Sequence, residues 1–205
     1  MPVNTDLKGN RTPEVDEEFD GRFLWRQGRW KENLAELQAI ANWGGSDSID
    51  DLPKLWGFNH ADPLYALQFS IMTLWLEASE CYILGQFQAC ILTCGAVVER
   101  ALKYEYQKLN GVETKNKKTL GQWIRELDGK LDSDVINWAE EILKPRNSRA
   151  HALLEQSDPF TAYMGSKRGL QQIGSNAYVL EYYRGDAKEV IERTFKILHQ
   201  LYGKI

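Results

Sequence analysis

The sequence predicts an all-α protein, an antiparallel helical bundle built on one long helical hairpin. Apolar residues recur in steps of three and four along most of the 205 residues, which is the period of an amphipathic helix. Two of these stretches, about 62–84 and 87–109, are separated only by a short link at Gly85. Helices joined so closely must pack antiparallel. With 43% apolar and 11% aromatic residues, the chain can bury one full core.

The N-terminal sixty residues are predicted to extend the bundle. Residues 1–20 carry two basic against six acidic residues and are expected to form a poorly ordered acidic arm. Residues 21–61 are predicted to contain a helix up to about 42 and then a loop that includes Gly44-Gly45 and Pro53. The remaining residues, 62–205, make up the predicted helical domain.

The hairpin has two differently patterned helices. The first shows a narrow apolar seam along one face, and Asp62 and Pro63 are suited to its cap and first turn. The seam consists of Leu64, Leu67, Ile71, Leu74, Ala78, Cys81 and Gly85. The second helix is apolar almost all round in its first half, which predicts burial on more than one side.

Shorter helices are predicted after Asn110-Gly111. Thr119 and Gln122 fit a capping box, and Asp132 or Ser133 is expected to cap the helix that follows.

Two interpretations remain open for residues 156–185. Asp158-Pro159 is typical of a helix start, whereas residues 177–183 have the composition of a strand, so a short β-hairpin near 172–184 is the alternative. The last helix is predicted to begin at a capping pair, Asp186 and Glu189.

Charge and cysteine usage limit the classes of function. The net charge of −4 argues against a protein that coats nucleic acid non-specifically, although residues 100–151 carry 11 basic against 8 acidic side chains. Cys81, Cys90 and Cys94 are expected to be reduced thiols of a cytoplasmic protein. The alternative, a soft-metal site at Cys90 and Cys94, lacks a second ligand pair. No signal peptide or membrane-spanning stretch occurs, so no membrane association is predicted.

The side chains suited to catalysis cluster in one segment, Pro145-Arg-Asn-Ser-Arg-Ala-His151. A guanidinium binds phosphate oxygens bidentately, and a histidine that titrates near neutral pH can move a proton. Pro145 is predicted to end one helix and Asn147 or Ser148 to begin the next. Asn147 and His151 would then lie one turn apart, and the amides of the helix N-terminus would favour an anion. This chemistry suits a phosphodiester and requires neither a metal nor another cofactor.

Other catalytic signatures are absent from the sequence. It contains no Gly-rich phosphate loop, no His-Glu-x-x-His and no Gly-x-Ser-x-Gly. His60 is interpreted as part of a helix start and His199 as a packing residue. A metal-dependent helical-bundle enzyme would need Glu-x-x-His spacing, which does not occur.

Arg146-Asn147-x-x-x-His151 resembles the Arg-polar-x(3)-His motif of the HEPN superfamily of α-helical domains. The segment 89–109, which includes Ala96-Val-Val-Glu99-Arg-Ala-Leu102, is similar to the second helix of related helical families. The resemblance covers roughly residues 62–202. It implies a metal-independent endoribonuclease in which an RNA 2′-hydroxyl attacks the neighbouring phosphate. The products are a 2′,3′-cyclic phosphate and a free 5′-hydroxyl.

The resemblance also implies roles for individual residues. His151 would be the general acid or base, Arg146 would hold the phosphate, and Asn147 would position the imidazole or the substrate. Lys144 and Arg149 would contact the RNA.

Glu99 would be the partner of an arginine; the alternative is a surface or intrahelical ion pair. The alternative to a catalytic motif is a structural one, in which Arg146 and Arg149 pair with surface carboxylates such as Glu140 and Glu141 and His151 is a packing residue.

The resemblance further implies a homodimer in which two motifs form a composite site across a two-fold interface. A role in a defence or toxin–antitoxin system would add an antitoxin or another partner protein. The competing interpretation is a non-catalytic HEPN-like module that binds a partner protein, a nucleotide or a nucleic acid without cutting.

Overall fold

The computed structural model describes residues 17–45, 56–111, 118–150 and 176–203 and, within them, the side chains of 29–45, 56–111, 118–148 and 183–203. These ranges contain six helices and no strand, which confirms the predicted all-α fold. The helices are α1 Glu17–Trp43, α2 Tyr65–Ile83, α3 Phe87–Asn110, α4 Leu120–Leu127, α5 Ser133–Ala150 and α6 Asn176–Tyr202. None of these helices is both long enough and apolar enough to cross a membrane.

Helix α3 lies at the centre of the bundle. It forms the hairpin with α2 and also packs against α4, α5 and α6. Its buried residues therefore point in several directions, as the apolar pattern predicts. Trp75 of α2, Trp123 of α4 and Phe195 of α6 are buried around it, and each such side chain contributes about 1.5–3 kcal/mol on burial.

Local hydrogen bonds mark the helix starts. Asp62 Oδ1 accepts the N–H of Leu64 at 2.7 Å and closes a turn, so α2 begins at Tyr65, three residues later than predicted. In the predicted capping box, the side-chain Oε1 of Gln122 accepts the N–H of Thr119 at 2.8 Å.

The start of α5 follows the predicted cap. Asp132 Oδ1 accepts the N–H of Asp134 at 2.8 Å, just before the helix begins at Ser133. Asp132, rather than Ser133, therefore provides the cap.

Helix α1 begins four residues earlier than predicted. Residues 17–20 of the expected acidic arm are helical, and residues 1–16 lie outside the described residues. The acidic residues of this segment occupy the first turn, where the helix dipole favours negative charge. Farther along α1, the buried Asn33 donates to the carbonyl of Tyr82 at 3.0 Å and accepts from Arg184 Nε at 3.1 Å, which joins α1 to both α2 and α6.

The strand alternative for the segment before the last helix is wrong over residues 176–184, because α6 runs through them. Residues 172–175 lie outside the described residues. Asp186 and Glu189 accordingly lie inside α6 and do not cap it. A strand needs a partner for its backbone groups, and the described ranges offer none, whereas a helix satisfies these groups internally.

The predicted interruption at Pro145 is also wrong. Helix α5 continues from Ser133 through Pro145 to Ala150. The proline removes one N–H that would bond to the carbonyl of Glu141. The packing of Val135, Ala139 and Ile142, all fully buried, holds the rest of α5 in the bundle. Tertiary packing therefore outweighs the local preference of the proline.

Candidate functional site

Arg146 crosses directly over α3 at Gly95. A Cβ atom added at Gly95 would lie 2.5 Å from Cγ of Arg146 and 3.3 Å from its Cβ. Carbon atoms normally pack at about 3.5–4.0 Å, so the stem of Arg146 occupies the space that any side chain at position 95 would need. Glycine here allows α5 to approach α3 closely.

Two polar contacts orient the guanidinium of Arg146. Its Nη1 donates to Oδ1 of Asn147 at 3.1 Å, and its Nη2 lies 3.7 Å from Oε2 of Glu99. The side chains of Arg146 and Glu99 are 25% and 29% exposed. A guanidinium has five N–H donors, so these two contacts leave donors for a further anion. We call Gly95, Glu99 and Asn147 the arginine seat.

The ion pair with Glu99 differs from one alternative considered for Arg146. The partners of Arg146 in the described residues are Asn147 and Glu99 rather than Glu140 or Glu141. Glu141 accepts from Nε of Arg193 on α6. Glu99 therefore pairs across two helices rather than within its own helix.

The continuity of α5 corrects one part of the predicted site. Residues 146–150 are helical, so their N–H groups are used inside α5 and do not form a free helix N-terminus. The predicted anion site made of backbone amides is therefore wrong. Any anion here would depend on side-chain donors such as the guanidinium of Arg146.

The other predicted site residues are less closely grouped. His151 lies outside the described residues. Arg149 belongs to α5, but its side chain is not among those that the structure describes. Lys144 is exposed on α5. Because two residues advance a helix by about 200°, Lys144 lies on a different face from Arg146. The described structure thus brings together Arg146, Asn147 and Glu99, but not Lys144.

The remaining histidines and the buried thiols have structural surroundings. His199 packs between the rings of Trp43 and Phe195, with centroids 5.4 and 5.6 Å away. The Sγ atoms of Cys90 and Cys94 are 4.0 Å apart, and this hydrogen bond, together with burial, raises the pKa of Cys90 well above its ordinary value. Cys90 is therefore a neutral thiol at physiological pH.

His60, in contrast, is exposed and lies against Tyr65, whose hydroxyl is 3.4 Å from the imidazole Nε2. Within the described ranges, no group of three or more His, Cys, Asp or Glu side chains is arranged to hold a metal ion.

Gly95 is the residue of the candidate site that the sequence prediction missed. A glycine inside an apolar helix costs about 0.5–1 kcal/mol relative to alanine, and such a residue often marks a close approach of another chain segment. That signal was present in the second hairpin helix. It does not indicate which residue approaches, because Arg146 is far away in the sequence.

The chain was compared with protein-family models, with curated proteins and with solved structures. No family model matches it, and neither does any curated protein or solved structure. The motif and the geometry of the arginine seat are therefore the features of the chain that bear on its function.

Proposed function

We propose that the chain is a metal-independent endoribonuclease of the HEPN type. The observation that supports this proposal best is the arginine seat. Arg146 is packed over Gly95, its guanidinium is oriented by Asn147 and Glu99, and a quarter of its side chain remains exposed. A cation held in place before substrate arrives stabilises developing negative charge without the cost of reorganisation. The planar guanidinium also matches the geometry of phosphate oxygens.

The proposed reaction needs one proton removed and one supplied. The RNA 2′-oxygen attacks the adjacent phosphorus as its proton leaves, and the bond from phosphorus to the 5′-oxygen breaks as that oxygen gains a proton. His151 performs one of these transfers as general base or general acid. Arg146 holds the phosphoryl oxygens while charge builds, and Asn147 keeps the guanidinium in position.

The proposal extends to the assembly and the setting. Two protomers form a homodimer, and each composite site takes residues from both chains. The nuclease acts in the cytoplasm in defence or in a toxin–antitoxin pair, where an antitoxin or other partner protein restrains it.

The second candidate is a non-catalytic helical module that binds a partner protein, a nucleotide or a nucleic acid. One observation favours it: Arg146 already has two partners within the chain, Asn147 and Glu99. Under this interpretation, these contacts stabilise the packing of α5 on α3, and Arg146 takes part in no reaction. This alternative predicts that replacing Arg146 weakens folding without affecting any reaction.

The two candidates are separated by incubating the purified protein with a mixture of RNAs in the presence of EDTA. We expect cleavage that leaves 2′,3′-cyclic phosphate ends. The variant His151→Ala should lose at least about 100-fold in rate, the lower range for general acid–base catalysis. His60→Ala is the matched control, because it removes an exposed histidine outside the motif and should cleave normally.

Folded protein that cuts none of the RNAs contradicts the nuclease and favours the module. Cleavage that survives His151→Ala also contradicts the proposed mechanism.

A further inference from the structure

A cavity of about 720 Å³ lies between the start of α2 and the last turns of α3. Leu64, just before α2, and Leu67 of α2 provide apolar surface, and Lys103, Gln107 and Lys108 of α3 provide polar groups. Its volume and its mixture of apolar wall and few polar side chains are typical of sites for small ligands or for one unit of a polymer. We call it the α2–α3 cavity.

Gln107 is the unusual residue of this cavity. It is 4% exposed, and its side-chain amide makes no hydrogen bond to the part of the chain that the structure describes. The fully buried side-chain atoms without a partner in the described residues do not include its amide nitrogen or oxygen, so the amide is open to the cavity. An amide that lines a cavity and lacks a partner in the protein is available to a bound ligand.

Lys103 connects the α2–α3 cavity with the arginine seat, because it lines the cavity and lies one turn beyond Glu99 on α3. Each step of four residues also turns by about 40° around the helix, so Gln107 is turned by about 80° from Glu99. Lys103 is therefore about 6 Å and Gln107 about 12 Å along the helix axis from Glu99, the partner of Arg146. An extended strand with a phosphate at Arg146 would reach the cavity with its neighbouring unit.

The charges of the cavity favour an anionic unit. Lys103 has no ion pair within the described ranges, and Lys108 is a loose 3.8 Å from Glu105. The carboxylate of Asp62 also lines the cavity. Its Oδ2 already accepts the hydroxyl of Tyr104 at 2.8 Å and the amide of Gln68 at 2.9 Å.

We propose that the α2–α3 cavity binds the nucleotide that flanks the scissile phosphate of a single-stranded RNA. Lys103 neutralises the phosphate of that nucleotide, Gln107 hydrogen-bonds its base, and Leu64 and Leu67 contact the base ring. A glutamine amide offers one donor and one acceptor side by side, which is how amide side chains recognise base edges. The inference rests on the proposed function, because the strand is placed by a phosphate at Arg146.

The test is direct binding of a short fluorescent single-stranded RNA, measured by anisotropy over a range of salt concentrations. The parent protein is His151→Ala, so that cleavage does not remove the probe. Adding Lys103→Gln should weaken binding and reduce the slope of log K against log salt by about 0.7, the contribution of one phosphate contact on a single strand. Adding Gln107→Leu should weaken binding about 10-fold at every salt concentration and leave the slope unchanged.

Two controls separate binding from folding. Lys31→Gln removes an exposed lysine of α1 and should leave the salt slope as in the parent. The thermal midpoint of Gln107→Leu should stay close to that of the parent, because leucine is of similar size and the amide makes no hydrogen bond in the described part of the chain.

The outcomes also distinguish this site from the proposed nuclease. Two results would overturn the site: the parent does not bind the RNA, or both cavity variants bind with the affinity and salt slope of the parent. Either result overturns it even when the wild-type protein cleaves RNA. If the cavity variants weaken binding but the wild-type protein never cleaves, the site stands and the nuclease fails.

Discussion

Replacing Gly95 with alanine tests whether α5 is held on α3 by direct contact with Arg146. The new Cβ would lie 2.5 Å from Cγ, 3.3 Å from Cβ and 3.4 Å from Cδ of Arg146. The shortest of these distances is about 1 Å inside normal carbon contact, and Cγ is close to the backbone, so the side chain cannot simply swing away. Such overpacking costs about 1–3 kcal/mol. Alanine recovers about 0.5–1 kcal/mol through its helix propensity, which leaves a net loss of about 1 kcal/mol and at most about 2.5 kcal/mol.

The free energies of unfolding of four proteins isolate this contact: wild type, Gly95→Ala, Arg146→Ala and the double variant. Without Cγ and Cδ of Arg146, alanine at position 95 meets only one tight contact at 3.3 Å, and its helix propensity should dominate. Gly95→Ala should therefore stabilise the Arg146→Ala protein by up to about 1 kcal/mol. Urea denaturation should then give a coupling energy of about 2 kcal/mol between the two positions.

Gly121→Ala in α4 is the matched control. Its added Cβ would meet only Cδ2 of Leu143 at 3.3 Å, the end of a flexible side chain that can move a few tenths of an ångström. Its effect should be additive with that of Arg146→Ala. If the effects of Gly95→Ala and Arg146→Ala also add to within about 0.5 kcal/mol, then the two residues are independent and the arginine seat as described is refuted.

Two carboxylates should affect the pH dependence of stability in opposite directions. Burial raises the pKa of Glu36, but hydrogen bonds from Tyr82 and Lys188 and the charge of Arg184 outweigh this effect and hold the pKa below its ordinary 4.5. The ionised carboxylate therefore stabilises the fold, and this stabilisation is lost as the pH falls below about 4.5. Glu36→Gln should lower the free energy of unfolding by about 1–2 kcal/mol at pH 7 and by less in acid; equal denaturation midpoints at pH 7 would contradict this. Burial raises the pKa of Glu105, and its Oε1 has no partner within the described chain, so this residue destabilises the fold as the pH rises above about 4.5. Glu105→Gln should therefore raise the free energy of unfolding by about 1 kcal/mol at pH 7 and by nothing below pH 4, and a loss of stability at pH 7 would be evidence against it.

Several structural features could be predicted because they depend on neighbouring residues. The capping contact of Gln122 with Thr119 and the cap at Asp132 join groups within three residues of each other. The hairpin of α2 and α3 follows from two periodic stretches and a link of minimal length. In each case the physical cause is contained in a short segment.

The errors in the predicted fold have a shared origin. A local signal at Pro145 predicted a break, and the strand-like composition of residues 177–183 suggested a hairpin. In both places the structure is helical. At Pro145 the buried face of α5 holds the helix in the bundle, and over residues 177–183 a helix satisfies its own backbone groups. Packing of one helix face compensates for one missing hydrogen bond or for a modest local preference.

For the candidate site, the sequence identifies the motif residues Arg146 and Asn147, and it predicts Glu99 as a partner of an arginine. The Gly95 contact and the cavity at Gln107 could not be found, because each depends on which helices become neighbours.

The sequence by itself determined the helical class, the central hairpin and the motif Arg146-Asn147-x-x-x-His151 on which the proposed function rests, since these depend on period, spacing and side-chain chemistry. Only the tertiary structure decided that Arg146 lies over Gly95 beside Glu99 and that Gln107 lines a cavity farther along the same helix. The physical reason is that such contacts join residues distant in the chain, and close packing of the helices selects them.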